Sequence, residues 1–178
     1  MCGIFAVVAA QSNQNNQNDG QINAGDEVLH GLQRLEYRGY DSWGVAVLDP
    51  SLGEAAELKL EKHIGKISQV EDVDLPSTSI AIGHTRWATH GGVSERNAHP
   101  HSASDGSFVL AQNGIVQNYL ALKDQLIKAG FEFVSETDTE VIVHLVELKK
   151  RAGADLVEAV RQAFLELEGR NTIIVLSK

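Results

Sequence analysis

The chain has a single cysteine, Cys2. That excludes an intrachain disulfide and any CxxC metal knuckle, and it fits a reducing compartment. Positive charge is also scarce: 15 Lys and Arg stand against 24 Asp and Glu, giving a formal net charge of −9 and a pI near 5.2. The global basic field that non-specific nucleic-acid binding uses is therefore missing, and an acidic substrate would have to be held by a few local arginines and backbone donors. Long hydrophobic runs are absent as well. The apolar stretch from Ile4 to Ala10 has no basic residue before it and is too short for a membrane helix or a signal peptide. Neither an internal repeat nor a linker interrupts the sequence. These absences predict one cytoplasmic domain without membrane or nucleic-acid partners.

What is present is an ordinary globular composition: 178 residues, 43% hydrophobic and 22% charged, enough to bury a sizeable core. Residues 3–10 read as a fully buried strand, a short β-branched and aromatic run bounded by polar residues. The following "QSNQNNQNDGQ" is too polar to order itself and reads as a flexible loop. Val28, Leu29, Leu32 and Leu35 recur at helical spacing, with Asp26 and Glu27 where a helix dipole favours anions. "GVAVLD" and "AAELKLEKH" read as two strands joined through turn chemistry at 49–53. "TSIAIGHTRW" and "GSFVLAQNG" are strands that deliver polar residues at their ends, where a rigid element fixes a group and a loop exposes it. Helices are expected over 116–129, 138–151 and 154–168, with short strands at "FEFVS" and "NTIIVLS". The alternation defines an α+β domain.

Cys2 has two readings. Free cysteine behaves as a small hydrophobe, suited to the start of a buried strand. Removal of Met1 would instead place a thiol and a free α-amine on one carbon, and with reference pKa values of roughly 8.5 and 7.7–8.0 the amine can take the thiol proton near neutrality. Such a thiolate suits acyl transfer, which needs donors aimed at a developing oxyanion. The Asn113 amide and the Gly114 N–H of "AQNGIVQN" are candidates; Asn-Gly is also a common hairpin turn, but a helix rather than a partner strand is expected after it. In "GHTRWATHGG", Arg86 can grip a carboxylate, Trp87 can wall a pocket, and Thr89 and His90 add hydrogen-bonding groups. In "SETDTE", Asp138 can pair with an ammonium, or Ser135, Thr137 or Asp138 can simply cap the following helix. One arginine and one aspartate around a thiolate would recognise an α-amino acid with an acyl side chain, glutamine above all. A zinc site on His84, His90, His99 and His101 is the rival constellation, weakened by the lack of a His-x3-His pair or a second cysteine.

Taken together, "MCGI", "LQRLEYRGYDS", "GHTRWATHGG", "NAHPH", "QNGIVQNY" and "SETDTEVIVHLVE" resemble, in order, the class II, N-terminal-nucleophile glutamine amidotransferases. The likeness runs from Cys2 to about Leu148, and "EYRGYDS" with "TRWATHG" favours the branch that makes glucosamine 6-phosphate from fructose 6-phosphate over the amidophosphoribosyltransferase and asparagine synthetase branches. The resemblance implies a four-layer αββα sandwich, Cys2 as nucleophile with its own α-amine as base, and Arg38 and Gly39 positioning the Cys2 terminus. It further implies Arg86 on the glutamine α-carboxylate, helped by Trp87, Thr89 and His90, with Asn113 and Gly114 as the oxyanion hole and Asp138 on the α-ammonium. No cofactor and no metal are implied. The partners implied are glutamine and two sugar-isomerase domains that bind fructose 6-phosphate, with a homo-oligomer compatible.

The sequence departs from the family pattern at Trp43, where a small residue is common, and at Gln112, where histidine is usual. The Asn/Gln-rich segment at 11–18 reads as a dispensable insertion. Family domains continue through further strands beyond "NTIIVLSK", so residues 1–178 are expected to form a partial domain. A retained Met1 would block the α-amine, and a non-catalytic glutamine-binding module is the alternative that this leaves open.

Overall fold

The computed structural model describes residues 2–9, 22–49, 56–70 and 73–178. Met1, the Asn/Gln-rich segment and positions 50–53 of the anticipated turn lie outside them.

The elements run β1 (Gly3–Val8), α1 (Ala24–Leu35), β2 (Ser42–Asp49), β3 (Glu57–Ile64), β4 (Ile80–Arg86), β5 (His101–Ser102), β6 (Phe108–Gly114), α2 (Tyr119–Lys128), α3 (Thr139–Arg151), α4 (Leu156–Leu165) and β7 (Asn171–Ser177). They build two antiparallel sheets, ordered β1-β4-β2-β3 and β5-β6-β7.

Period-2 alternation assigns each sheet two packed faces. On β2 and β4, Trp43, Val45, Val47 and Ala81 join Ala24, Val28 and Leu32 of α1 in one core. The alternate residues Ala46 and Ile82 pack instead against Val109 of β6 and Leu176 of β7, which closes the layer between the sheets. The other face of β6, through Phe108 and Leu110, meets the largest core, contributed by α2, α3 and α4. The layers are therefore helix, sheet, sheet, helices: the expected αββα sandwich.

Helix α1 begins as its sequence dictates. Asn23 accepts the Gly25 N–H at 3.2 Å, Asp26 and Glu27 occupy the first turn, and Arg34 lies in the last.

Three expectations are corrected. First, β1 is not fully buried: among the described residues it pairs only with β4, at the sheet edge, and Val8 is 77% exposed. Second, residues 131–135 form no strand. The Val134 and Ser135 N–H groups donate to the two oxygens of Glu140 at 2.8 and 2.7 Å, so a side chain supplies the acceptors a sheet neighbour would have given. Third, the helix expected from 116 starts at Tyr119, because the Val116 N–H donates to Asp138 rather than entering a helical turn. Beyond these, the last residue of "HPH", His101, begins the short β5, whose His101 and Ser102 pair with Leu110 and Val109.

Candidate active site

The pairing of Gly3 with Thr85 brings the start of the chain to the end of β4. The Trp87 N–H points at Cys2 Sγ across 3.3 Å, and Sγ in turn lies 3.6 Å from the Trp87 carbonyl. The Cys2 carbonyl accepts from Asn113 Nδ2 at 3.2 Å and from Arg38 Nε at 3.4 Å. One residue is thus gripped by β4, by β6 of the opposite sheet and by the turn that ends α1.

Two glycines make this approach possible. A Cβ on Gly39 would sit 2.7 Å from the Thr85 carbonyl oxygen. Gly114 has φ 131° and a Cβ there would lie 2.2 Å from the Arg170 carbonyl oxygen, so both space and backbone conformation demand glycine.

Arg86 is buried, and its guanidinium shapes the loop that follows it. Nη1 donates to the Gly92 carbonyl at 3.0 Å, and Nη2 to the carbonyls of His90 and Gly91. Burial lowers its pKa from the ordinary value, opposed by the charges of Cys2, Asp41 and Asp138. The N–H groups not used on the loop are what Arg86 can offer a carboxylate.

Two further groups that the sequence reading did not single out hold the same loop. Asp41 accepts the Ala88 N–H at 2.8 Å. Glu136 accepts the Gly92 N–H at 3.2 Å and Asn97 Nδ2 at 3.0 Å, while its own N–H donates to Asn97 Oδ1 at 2.9 Å. Those hydrogen bonds, with the charge of Arg96, hold the Glu136 carboxyl below its usual range. The signal was present, since Asp41 lies in "EYRGYDS" and Glu136 in "SETDTE", but nothing in the residue types assigns them to one loop.

Asp138 is buried at the start of α3, where it accepts the Val116 N–H at 2.8 Å and makes no side-chain cap. The simple capping role is therefore set aside. Trp87 is 44% exposed and packs against Tyr40 at 5.4 Å between ring centroids. The His90 ring meets Tyr119 edge-on at 5.2 Å.

A cleft of about 830 Å³ opens beside Cys2, lined by Arg38, Trp87, Thr89, Asn113 and Gly114 among others. Behind the thiol is a cavity of only about 20 Å³ whose walls include Arg86, His90 and Asp138. That is room for about one water molecule.

His84, His99 and His101 are buried in the core. The rings of His84 and His99 stack at 4.2 Å, and His99 meets His101 at 4.9 Å. Burial pushes His84 down to about 4, and His99 and His101 well below the usual imidazole value. His99 Nδ1 faces the Gln112 N–H, while the Nε2 atoms of His99 and His101 pair with the hydroxyls of Thr139 and Thr137. These rings are turned to protein partners rather than toward a common point, and among the described residues no group of three His, Cys, Asp or Glu could hold a metal.

Residues 71–167, more than half of the chain, match the glutamine amidotransferase domain family, and the chain belongs to that family. It is similar over nearly all its length to glutamine–fructose-6-phosphate aminotransferase [isomerizing] of Streptomyces coelicolor, 44% identical over 174 residues that cover 98% of this chain and 26% of that protein. The enzyme of the same name from Thermus thermophilus is 44% identical over 178 residues, again covering 98% of this chain and 26% of the relative. The chain thus spans about a quarter of the length of these relatives. Among solved structures, glutamine phosphoribosylpyrophosphate amidotransferase from B. subtilis, complexed with ADP and GMP, superposes with a TM-score of 0.77 at 25% identity, over 98% of this chain and 35% of that one. Among the described residues no helix is long and apolar enough to cross a membrane.

Proposed function

We propose that residues 1–178 are a partial glutaminase domain of a glutamine–fructose-6-phosphate aminotransferase, which hydrolyses glutamine and supplies the ammonia for glucosamine 6-phosphate. Cys2 is the nucleophile. With Met1 removed, its α-amine takes the thiol proton and the thiolate adds to the side-chain carbonyl carbon of glutamine, moving the π electrons onto oxygen. Asn113 Nδ2 and the Gly114 N–H hold that oxyanion. Collapse re-forms the carbonyl and breaks the C–N bond, the ammonium proton passes to the leaving nitrogen, and ammonia departs from a γ-glutamyl thioester. Water then adds, its proton returning through the amine to sulfur as the C–S bond breaks and glutamate leaves.

Arg86, helped by Trp87, Thr89 and His90 of the same loop, takes the α-carboxylate, and Asp138 the α-ammonium. Arg38 and Gly39 seat the Cys2 backbone. The ammonia acceptor would be fructose 6-phosphate on isomerase domains outside this chain, in a cytoplasmic enzyme that can be a homo-oligomer.

One observation carries the reading. Cys2 Sγ, within 3.3 Å of the Trp87 N–H, shares the same two cavities with Asn113 and Gly114 on one side and Arg86 and Asp138 on the other. The likeness to glutamine phosphoribosylpyrophosphate amidotransferase supports a second acceptor, but 44% against 25% identity favours the first.

The test is glutamate release by the purified chain after verified removal of Met1. Cys2→Ala is expected to abolish it, and activity persisting in that variant refutes the mechanism.

A further inference from the structure

The Asn113 side chain has two ends of nearly equal shape and opposite chemistry. The proposed oxyanion role needs the NH2 end, not the oxygen, to face Cys2, and the backbone of β6 does not decide between them.

His84 does. It is fully buried on the face of β4 that looks across to β6, two residues beyond Ile82 of the inter-sheet layer. Its Nε2 lies 3.1 Å from the Gln112 carbonyl oxygen and 3.0 Å from Asn113 Oδ1, while its Nδ1 has no hydrogen-bond partner among the described residues.

The Gln112 carbonyl can only accept, and it cannot turn, because Gln112 is registered against Ile173 of β7 and its own N–H is held by His99 Nδ1. An imidazole nitrogen facing it must therefore carry the proton; the other tautomer would set a lone pair against a carbonyl oxygen in a buried site. With Nε2–H fixed in this way, the second group it faces must also accept. Asn113 consequently turns its oxygen to His84, and its Nδ2 is left pointing at Cys2, where it donates to the Cys2 carbonyl at 3.2 Å. A reversed amide would oppose Nδ2 to Nε2–H and Oδ1 to the Cys2 carbonyl oxygen, two mismatches at once.

We propose that His84 is a positioning residue: its Nε2–H, fixed by the Gln112 carbonyl, sets the orientation of the Asn113 amide and so presents a hydrogen-bond donor to the Cys2 site. The kinetic consequence rests on the glutaminase reading; the tautomer and the amide orientation do not.

The experiment has two arms on the same Met1-processed chain. In the first, His84→Met keeps the reach of the ring without a donor, and His84→Gln restores an N–H at about the position of Nε2. Misaiming one oxyanion donor should lower kcat on the order of 100-fold in His84→Met with KM little changed, and His84→Gln should regain most of the loss. Equal activity of His84→Met and wild type, or equal damage in both variants, overturns the proposal.

In the second arm, nitrogen-15 NMR of the wild-type imidazole reads the tautomer directly. A ring protonated at Nε2 and coupled by hydrogen bond to the Asn113 amide is the expected result, and a ring protonated at Nδ1 overturns it. This arm stands if His84→Met does not fold. It also separates the two ideas, since a processed wild-type chain that releases no glutamate defeats the glutaminase reading while the NMR still decides the role of His84.

Discussion

Helix α3 carries an unusual buried group. His144 lies between two acidic residues of its own helix, with Nδ1 2.7 Å from Glu147 and Nε2 3.6 Å from Glu140. Glu147 also accepts from the Ser104 N–H at 2.9 Å, and Glu140 from the N–H groups of Val134 and Ser135. Protonated His144 thus holds together two carboxylates that anchor two separate loops, one of them leading into Asp138. Burial works against its charge, but both carboxylates outweigh that and raise it to about 9. Since the folded value lies above the unfolded 6.5, the stabilisation is fully present below pH 6.5 and is lost as pH rises through 9. At roughly 1.4 kcal/mol per pKa unit the whole gap amounts to about 3 kcal/mol, of which about 2 kcal/mol disappears between pH 6 and pH 8. Other buried groups run the opposite way. Burial lowers Lys62 to about 8 and depresses His84, His99 and His101, and each of these favours the folded state more as pH rises. The informative quantity is therefore the difference between the wild type and His144→Gln, measured by urea unfolding at pH 6, 7 and 8. It should shrink by about 2 kcal/mol across that range. A difference that does not change with pH refutes a charged His144.

Two further substitutions separate binding from folding. Asp138→Asn keeps an oxygen for the Val116 N–H but removes the charge proposed to meet the ammonium, so KM for glutamine should rise by about 10- to 100-fold with the melting temperature unchanged, as steady-state kinetics and calorimetry would show. Trp43 is a large, fully buried side chain in the core under α1, and Trp43→Ala should cost about 3–5 kcal/mol in urea unfolding; a loss below about 1 kcal/mol would mean that the site collapses around the missing ring.

Much of this site was legible because chemistry and secondary structure punctuate the sequence together. Strand-shaped runs end at Arg86 and at Asn113 and Gly114, and those ends do converge on Cys2. The short apolar runs misled where a side chain or an edge changed the rules. "FEFVS" has the composition of a strand, but Glu140, five residues after Ser135, takes its N–H groups. "GIFAVVAA" reads as buried because periodicity does not say whether a strand has one neighbour or two. The histidines were visible as a cluster, yet their role depends on which faces of β4, β5 and β6 look toward one another. Sequence separation hides that.

The two departures from the family pattern take on definite roles in this geometry. Trp43 faces α1, with its ring stacked on His63 at 4.5 Å, so it reshapes the helix-covered core and not the cleft. Gln112 is closer to the chemistry. Its Oε1 accepts from Thr139 at 2.7 Å and its Nε2 donates to Asn171 at 2.8 Å, while its carbonyl is the one that fixes His84. A single residue thereby ties α3, which follows directly on Asp138, to β7 and to the strand that bears Asn113. Loss of the Gln112 side chain would leave Thr139 and Asn171 without those partners, yet the backbone carbonyl toward His84 would stay. The binding end of the site and the oxyanion end are therefore held by different atoms of the same residue, and a substitution at Gln112 should disturb Asp138 before it disturbs Asn113.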